Sequence, residues 1–243
     1  FSGRGVTGLV GQNGSGKSTL LRVMARQQKV SSGQIDFDGT AIKALPDMRF
    51  ARRVTYLPQH TPPTSGLTVR ELVALGRYPW HGALGRFGAE DTRHVERALG
   101  LMGLDALANR FVDSLSGGER QRCWLAMLIA QNARLLLLDE PISALDVAHQ
   151  VHVLRLIQSI AHEEQIGVII VIHDLNLATR YCDRIVGLRD GRLIVDGAPA
   201  DIMTPAALAE IYGVAMSVVA TPETGGPIAF VRPADGAGTS NVR

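Results

Sequence analysis

Gly11-Gln12-Asn13-Gly14-Ser15-Gly16-Lys17-Ser18-Thr19 follows an apolar run at 6–10 and opens onto Leu20, Leu21, Val23 and Met24 at helical spacing. Strand, glycine-rich loop and helix in that order is the context in which a loop grips phosphate. The glycines let backbone N–H groups converge on an anion, and the helix N-terminus adds a positive dipole end. Lys17 supplies a compact charge for the β- and γ-phosphates, and Ser18 a hydroxyl that can ligate Mg²⁺. Only Lys17, Lys29 and Lys43 are lysines among 25 basic residues. A lysine inside the loop is therefore a selective choice, because a forked guanidinium fits a tight phosphate nest poorly.

Working outward, residues 5–10 read as a strand, 17–27 as a helix, and 34–37 as a strand reaching an Asp38-Gly39 turn. Another strand spans 53–57 and stops at Pro58. From about 60 to 130 the pattern turns helical, with helices at 68–75 and 90–102 separated by a Gly/Pro/aromatic loop over 78–88. The α/β alternation resumes with a strand at 135–138 and a helix at 147–161, whose apolar stripe runs Val147, Val151, Leu154, Ile157, Ala161. A strand at 168–172, a helix at 174–181 and a hairpin across Asp190-Gly191 follow. The fold class expected is α/β, a mostly parallel sheet with an antiparallel portion and an inserted helical subdomain. The core takes 1–58 and 132–213, the helical part 59–131, and 214–243 form a C-terminal extension. From about Pro222 the Gly/Pro/Ala-rich chain is expected to be peripheral or frayed.

A chain of 243 residues buries roughly 70–75% of its unfolded surface and needs no disulfide or structural metal to fold. Its two cysteines, Cys123 and Cys182, form no metal or redox pattern and suit a reducing cytosol. No apolar run approaches the ~20 residues of a membrane span, and no signal peptide is evident. The formal charge of +2, with basic residues scattered and no aromatics interleaved, argues against a nucleic-acid surface. His149 and His152 are near neighbours on a helix without a third ligand, so they read as surface residues.

Leu135-Leu136-Leu137-Leu138-Asp139-Glu140 is an apolar strand that ends in two carboxylates. Charge at the end of a buried strand calls for an ion or partner. Asp139 is placed to hold the hydration shell of Mg²⁺, and Glu140 to orient the water that attacks a γ-phosphate. An acidic strand-to-loop junction is the plainer alternative. Leu115-Ser116-Gly117-Gly118-Glu119-Arg120-Gln121 opens a helix, and its plain reading is an N-cap with an acidic first turn. Serine and two glycine N–H groups at a helix N-terminus also make a second anion site. Capping alone hardly calls for both glycines, which cost helix stability.

The phosphate loop, Leu-Ser-Gly-Gly-Glu-Arg-Gln, Asp139-Glu140-Pro141, Ser143-Ala144-Leu145-Asp146 and a histidine after a strand, His173, occur in one order. Together they resemble the nucleotide-binding subunit of ATP-binding-cassette transporters over essentially the whole chain. The resemblance implies an ATPase using ATP and Mg²⁺, with two copies sandwiching two nucleotides. Ser116, Gly117, Gly118, Glu119 and Gln121 of one copy would complete the site of the other, and Asp146 would lie at the interface. Gln59 matches the position that senses Mg²⁺, beside Ser18 and Asp139, and that links to the membrane partner. His173 matches the switch histidine at the γ-phosphate. The implied partners are an integral membrane permease and, indirectly, a periplasmic or lipid-anchored substrate-binding protein, with no nucleic acid. The implied location is peripheral, on the cytoplasmic face of the inner membrane.

Pro62-Pro63, Leu67-Thr68-Val69-Arg70-Glu71-Leu72-Val73 and Gly76-Arg77-Tyr78-Pro79-Trp80-His81-Gly82 are similar to ATPases that drive uptake of iron siderophores and vitamin B12. The continuation Ala83-Leu84-Gly85-Arg86-Phe87-Gly88, with Ala148-His149-Gln150-Val151, most resembles the ferric-hydroxamate (ferrichrome-type) group. The implied cargo is an Fe(III)-hydroxamate siderophore, the alternatives being another iron chelate, haem or vitamin B12. Ile142 departs from the threonine usual after Asp-Glu-Pro, and local repacking is expected there. The aromatic that stacks on adenine in this family lies well before the phosphate loop. Phe1 is too near Gly11 for that role, so the residue is expected on strands preceding this sequence. Rival readings are a soluble cassette ATPase in DNA maintenance or translation, or a small-molecule kinase. The short spacing between Lys17 and Ser116, without sustained heptads, and the signature segment argue against them.

Overall fold

A computed structural model describes residues 3–82, 85–221 and 226–232. Strand β1 (Gly5–Val10) enters the glycine loop, and helix α1 (Lys17–Met24) leaves it. A hairpin of β2 (Asp36–Phe37) and β3 (Thr40–Ala41) turns at Asp38-Gly39, where both residues take positive φ (49° and 72°). Asp-Gly is the pair that such turns favour. Helix α2 (Asp47–Ala51) then leads to β4 (Val54–Leu57).

Among the described residues four α-helices separate β4 from the next strand: α3 (Val69–Leu75), α4 (Tyr78–His81), α5 (Ala89–Leu101) and α6 (Gly117–Gln131). The alternating part resumes with β5 (Leu135–Leu138), α7 (Val147–Glu163), β6 (Gly167–Val171) and α8 (Leu175–Tyr181). Strands β7 (Arg184–Arg189) and β8 (Arg192–Gly197) form the expected hairpin, again over an Asp-Gly pair with positive φ, at Asp190 and Gly191. Helices α9 (Pro199–Ile202) and α10 (Pro205–Tyr212) and strands β9 (Met216–Thr221) and β10 (Gly226–Val231) close the described chain.

The main sheet runs β4-β5-β6-β1-β7-β8, parallel except for the last pair, so the α/β class holds. Burial on both faces explains the unbroken leucines of β5. Leu136 and Leu138 enter a core shared with α3, α5, α6, α7 and α8, whereas Leu135 and Leu137 enter a second core beneath α1 and Phe50. Strands β1 and β6 divide the same way, with Val6, Val10, Val168 and Ile170 on one side and Leu9, Ile169 and Val171 on the other.

Two expectations change. The loop over 78–88 contains a short helix, α4, because Pro79 sits at a position where a missing N–H costs nothing. Ala83 and Leu84 of that stretch lie outside the described residues. Nor is all of the chain after Pro222 peripheral: β10 pairs antiparallel with β9, and Ala229 is buried. The Asn176 amide of α8 binds both sides of the Ala229 backbone, donating to its carbonyl (3.1 Å) and accepting from its N–H (2.9 Å). Gly and Pro composition hid the strand-forming Ile228, Phe230 and Val231. Residues 222–225 and 233–243 lie outside the description.

The helical part is tied together by a buried ion pair. Arg77 Nε donates to Asp91 Oδ1 (2.9 Å), and Arg77 Nη1 donates to the carbonyl of Ala130 near the end of α6 (2.8 Å). Arg77 is 2% exposed. Asp91→Ala would strand a guanidinium in the interior, so denaturant unfolding should register a loss of about 3–5 kcal/mol.

Candidate functional site

A parallel sheet points all its carboxyl ends to one edge, where ligands of open α/β sheets collect. Leu57, Leu138 and Ile170 pair in one row across β4, β5 and β6. Two residues further along stand Gln59 and Glu140, and His173 follows three residues after Ile170. The glycine loop leaves β1, the next strand over. Register alone thus delivers residues far apart in sequence to one cleft of ≈ 390 Å³, whose lining includes Gly14, Lys17, Ser18, Gln59, Glu140 and His173.

The loop is shaped by backbone conformation. Gly11 has φ 140°, and a Cβ there would stand 2.1 Å from the carbonyl oxygen of Leu188. Only glycine fits. Gly16, at φ 99°, turns the chain into α1. Lys17 is 5% exposed, and its Nζ donates to the carbonyls of Gly11 (2.9 Å) and Gln12 (2.8 Å). Burial pushes its ammonium below the usual lysine range, opposed by the charges of Glu140 and Asp139. Asn13 and Thr19 also line the cleft. Gln12 and Ser15 do not: the Gln12 amide binds the carbonyl of Tyr212, and Ser15 is buried beneath the loop.

Strand parity separates the two carboxylates. Asp139 continues the series Leu135, Leu137 toward α1, and Ser18 Oγ donates to its Oδ1 at 2.8 Å. Tyr56, the register partner of Leu137, approaches Oδ2 from the same side at 3.4 Å. Burial, then the charge of Asp139, push the Tyr56 phenol up to about 12, so it stays a donor. No motif singles out Tyr56; the signal for it is strand pairing, which the sequence does not state.

Glu140 leaves the strand with φ 53°, a conformation uncommon outside glycine and costly to hold. Its carboxylate is gripped from two sides, by Gln59 Nε2 at 2.8 Å and His173 Nε2 at 2.6 Å. Ser143 Oγ donates to the Glu140 carbonyl (3.1 Å), bracing the turn. Ile142 is buried in the core beside Leu145, so the departure at 142 is absorbed by apolar packing. Asp174, not His173, caps the following helix.

Ser116, Gly117, Gly118, Glu119 and Gln121 are elsewhere. Ser116 caps α6 in a reciprocal box with Glu119, whose carboxylate accepts from the Ser116 N–H (2.9 Å) and hydroxyl (2.8 Å). The plain cap reading is therefore true of this segment. A Cβ on Gly117 would meet nothing within 4 Å, and one on Gly118 would touch Leu145 at 3.4 Å. Asp146 caps α7 and pairs with the His149 ring at 2.8 Å. None of these residues lines the cleft.

The Ser18 hydroxyl and the Asp139 carboxylate meet at 2.8 Å, and both are hard oxygen ligands of the kind that fit Mg²⁺. Among the described residues no three His, Cys, Asp or Glu side chains gather as a metal cage. No helix among them is long and apolar enough to cross a membrane.

Known proteins resemble this chain in sequence and in fold. The ABC transporter family profile matches residues 2–143. Similar proteins include the probable siderophore transport system ATP-binding protein YusV of Bacillus subtilis (41% identical, 92% of this chain, 81% of that protein). The ferric enterobactin transport ATP-binding protein FepC of Escherichia coli is 39% identical, over 91% of this chain and 82% of its own. The iron(3+)-hydroxamate import ATP-binding protein FhuC of B. subtilis is 40% identical, over 92% and 83%. Among solved structures, a metal-chelate type ABC transporter in an inward-facing conformation superposes with TM-score 0.82, at 26% identity, over 96% of this chain and 88% of that chain. The dimeric ATP-binding cassette MJ0796 with ADP and Pi gives 0.70, at 27% identity, over 82% and 87%. With most of its length aligned to such subunits, the chain belongs to the ABC transporter family, as an ATP-binding, ATP-hydrolysing subunit of a transport system.

Proposed function

We propose that this ATPase hydrolyses MgATP at a site made by two copies of the chain and so energises import of an Fe(III)-hydroxamate siderophore. The observation that carries the catalytic part is the Glu140 carboxylate, held by Gln59 and His173 at the mouth of the phosphate loop. In this reading the amides of Gly11, Gln12, Asn13, Gly14, Ser15, Gly16, Ser18 and Thr19 wrap the phosphates. Lys17 exchanges its loop carbonyls for β- and γ-phosphate oxygens. Ser18, Asp139 and Gln59 would hold Mg²⁺, which would supply Lewis-acid charge at the phosphates. Glu140 accepts a proton from the attacking water, and Gln59 and His173 fix its two oxygens toward that water. His173, which lines the same cleft, is assigned to the charge that develops on the γ-phosphate.

Ser116, Gly117 and Gly118 act on the nucleotide of the other copy, with Glu119 and Gln121 shaping the segment and Asp146 at the interface. The open space over Gly117, in a segment that does not line the phosphate cleft of its own copy, supports this. The helical part, residues 59–131, carries motion from Gln59 to an integral membrane permease on the cytoplasmic face. A periplasmic or lipid-anchored binding protein delivers the cargo. Relatives named for siderophore, ferric enterobactin and iron(3+)-hydroxamate transport stand at 39–41% identity and one named for cobalamin import at 42%, so the iron-chelate reading rests on the number of siderophore relatives and not on identity. The choice of hydroxamate rests on the sequence resemblance at 83–88 and 148–151.

Glu140→Gln should keep ATP binding, lower turnover ~10²–10⁴-fold and accumulate an ATP-bound dimer in size-exclusion chromatography. Undiminished hydrolysis would refute the assigned base. Gly117→Val should leave thermal unfolding and ATP binding of the monomer unchanged while abolishing ATP-dependent dimers and turnover. For cargo, ATP turnover of the chain reconstituted with candidate permeases should rise with ferric hydroxamates and their binding protein. A rise with vitamin B12 and none with hydroxamates would overturn the assignment.

A further inference from the structure

We propose that Tyr56 is a positioning residue for Asp139: its hydroxyl holds one carboxylate oxygen and so turns the other toward Ser18 and the incoming divalent cation. The proposal rests on Ser18 and Asp139 being ligands of that cation. Asp139 is 3% exposed and contributes Oδ1 to Ser18 Oγ at 2.8 Å. A carboxylate anchored at one oxygen still swings about its χ2 torsion, a broad and soft rotation. Tyr56 Oη, 3.4 Å from Oδ2, restricts that swing at the second oxygen.

The ring is well placed to do so. Tyr56 stands on β4, in register with Leu137 of β5, and packs against the core under α1. Its backbone is locked by the sheet and its ring by apolar contacts, so the hydroxyl arrives with little freedom left to lose. Phenylalanine would fill the same apolar space, so packing alone does not require the oxygen. A partly buried phenol usually takes a hydrogen-bond partner, and among the described residues Asp139 fills that place.

The test uses the full chain with Mn²⁺ as the probe, its binding followed by electron paramagnetic resonance in the presence of a non-hydrolysable ATP analogue. Tyr56→Phe should weaken Mn²⁺ binding about 2- to 10-fold, the effect of one net hydrogen bond. Analogue binding in EDTA and the unfolding temperature should not move. In an Asp139→Asn background, Tyr56→Phe should cause no further loss, because the route through the carboxylate is already cut. An equal loss in that background would mean that the hydroxyl acts by a route other than the Asp139 carboxylate, and would overturn the proposal. So would unchanged Mn²⁺ affinity in Tyr56→Phe while Ser18→Ala and Asp139→Asn weaken it, an outcome that leaves the ligand assignment standing. Wild-type affinity in all three variants would overturn both.

Discussion

Parallel pairing of β4, β5, β6, β1 and β7 is the constraint on which the rest of the structure depends. It is stable because both faces are covered, so successive leucines, valines and isoleucines can all be buried. It is functional because it assembles strand ends. Gln59, Asp139, Glu140, His173 and the phosphate loop come from four separate strands, and their approach is a consequence of register rather than of local attraction. A one-residue slip between β4 and β5 would reverse the parity of each side chain and send Tyr56 away from Asp139.

Parity also separates two carboxylates adjacent in sequence. Asp139 turns under α1 to Ser18, and Glu140 turns out to Gln59 and His173. Keeping the pair side by side on a buried edge would cost charge repulsion and desolvation. The positive φ of Glu140 is the local cost of this separation, sustained by the Ser143 hydroxyl and the buried Ile142 below it. Lys17 stands nearby with its ammonium satisfied by the carbonyls of its own loop. The loop thus holds both partners of a phosphate, converging N–H groups and a cation, in a conformation that glycine alone permits at Gly11.

The Ser116 segment combines a closed helix cap with open space beside it. Its hydroxyl and N–H close a capping box with Glu119, which stabilises α6 within a single copy. The neighbouring Gly117 gains nothing from that box and leaves open space above the helix start. Capping geometry and a surface ready for another molecule are compatible here because a cap satisfies one side of the helix end only.

Local chemistry made several features legible in the sequence itself. The glycine spacing before Lys17, the apolar strand closing on Asp139-Glu140, both Asp-Gly hairpins and the serine cap of α6 each depend on neighbours within a few residues. The α/β class followed from the alternation of short apolar runs with helical stripes. Tertiary structure alone decided the rest: that Tyr56 meets Asp139, that Arg77 is buried against Asp91, and that Asn176 recruits residues 226–231 as a strand. Each of these is a contact between segments whose meeting is set by sheet register or helix packing, and such long-range pairing leaves no periodic trace along the chain.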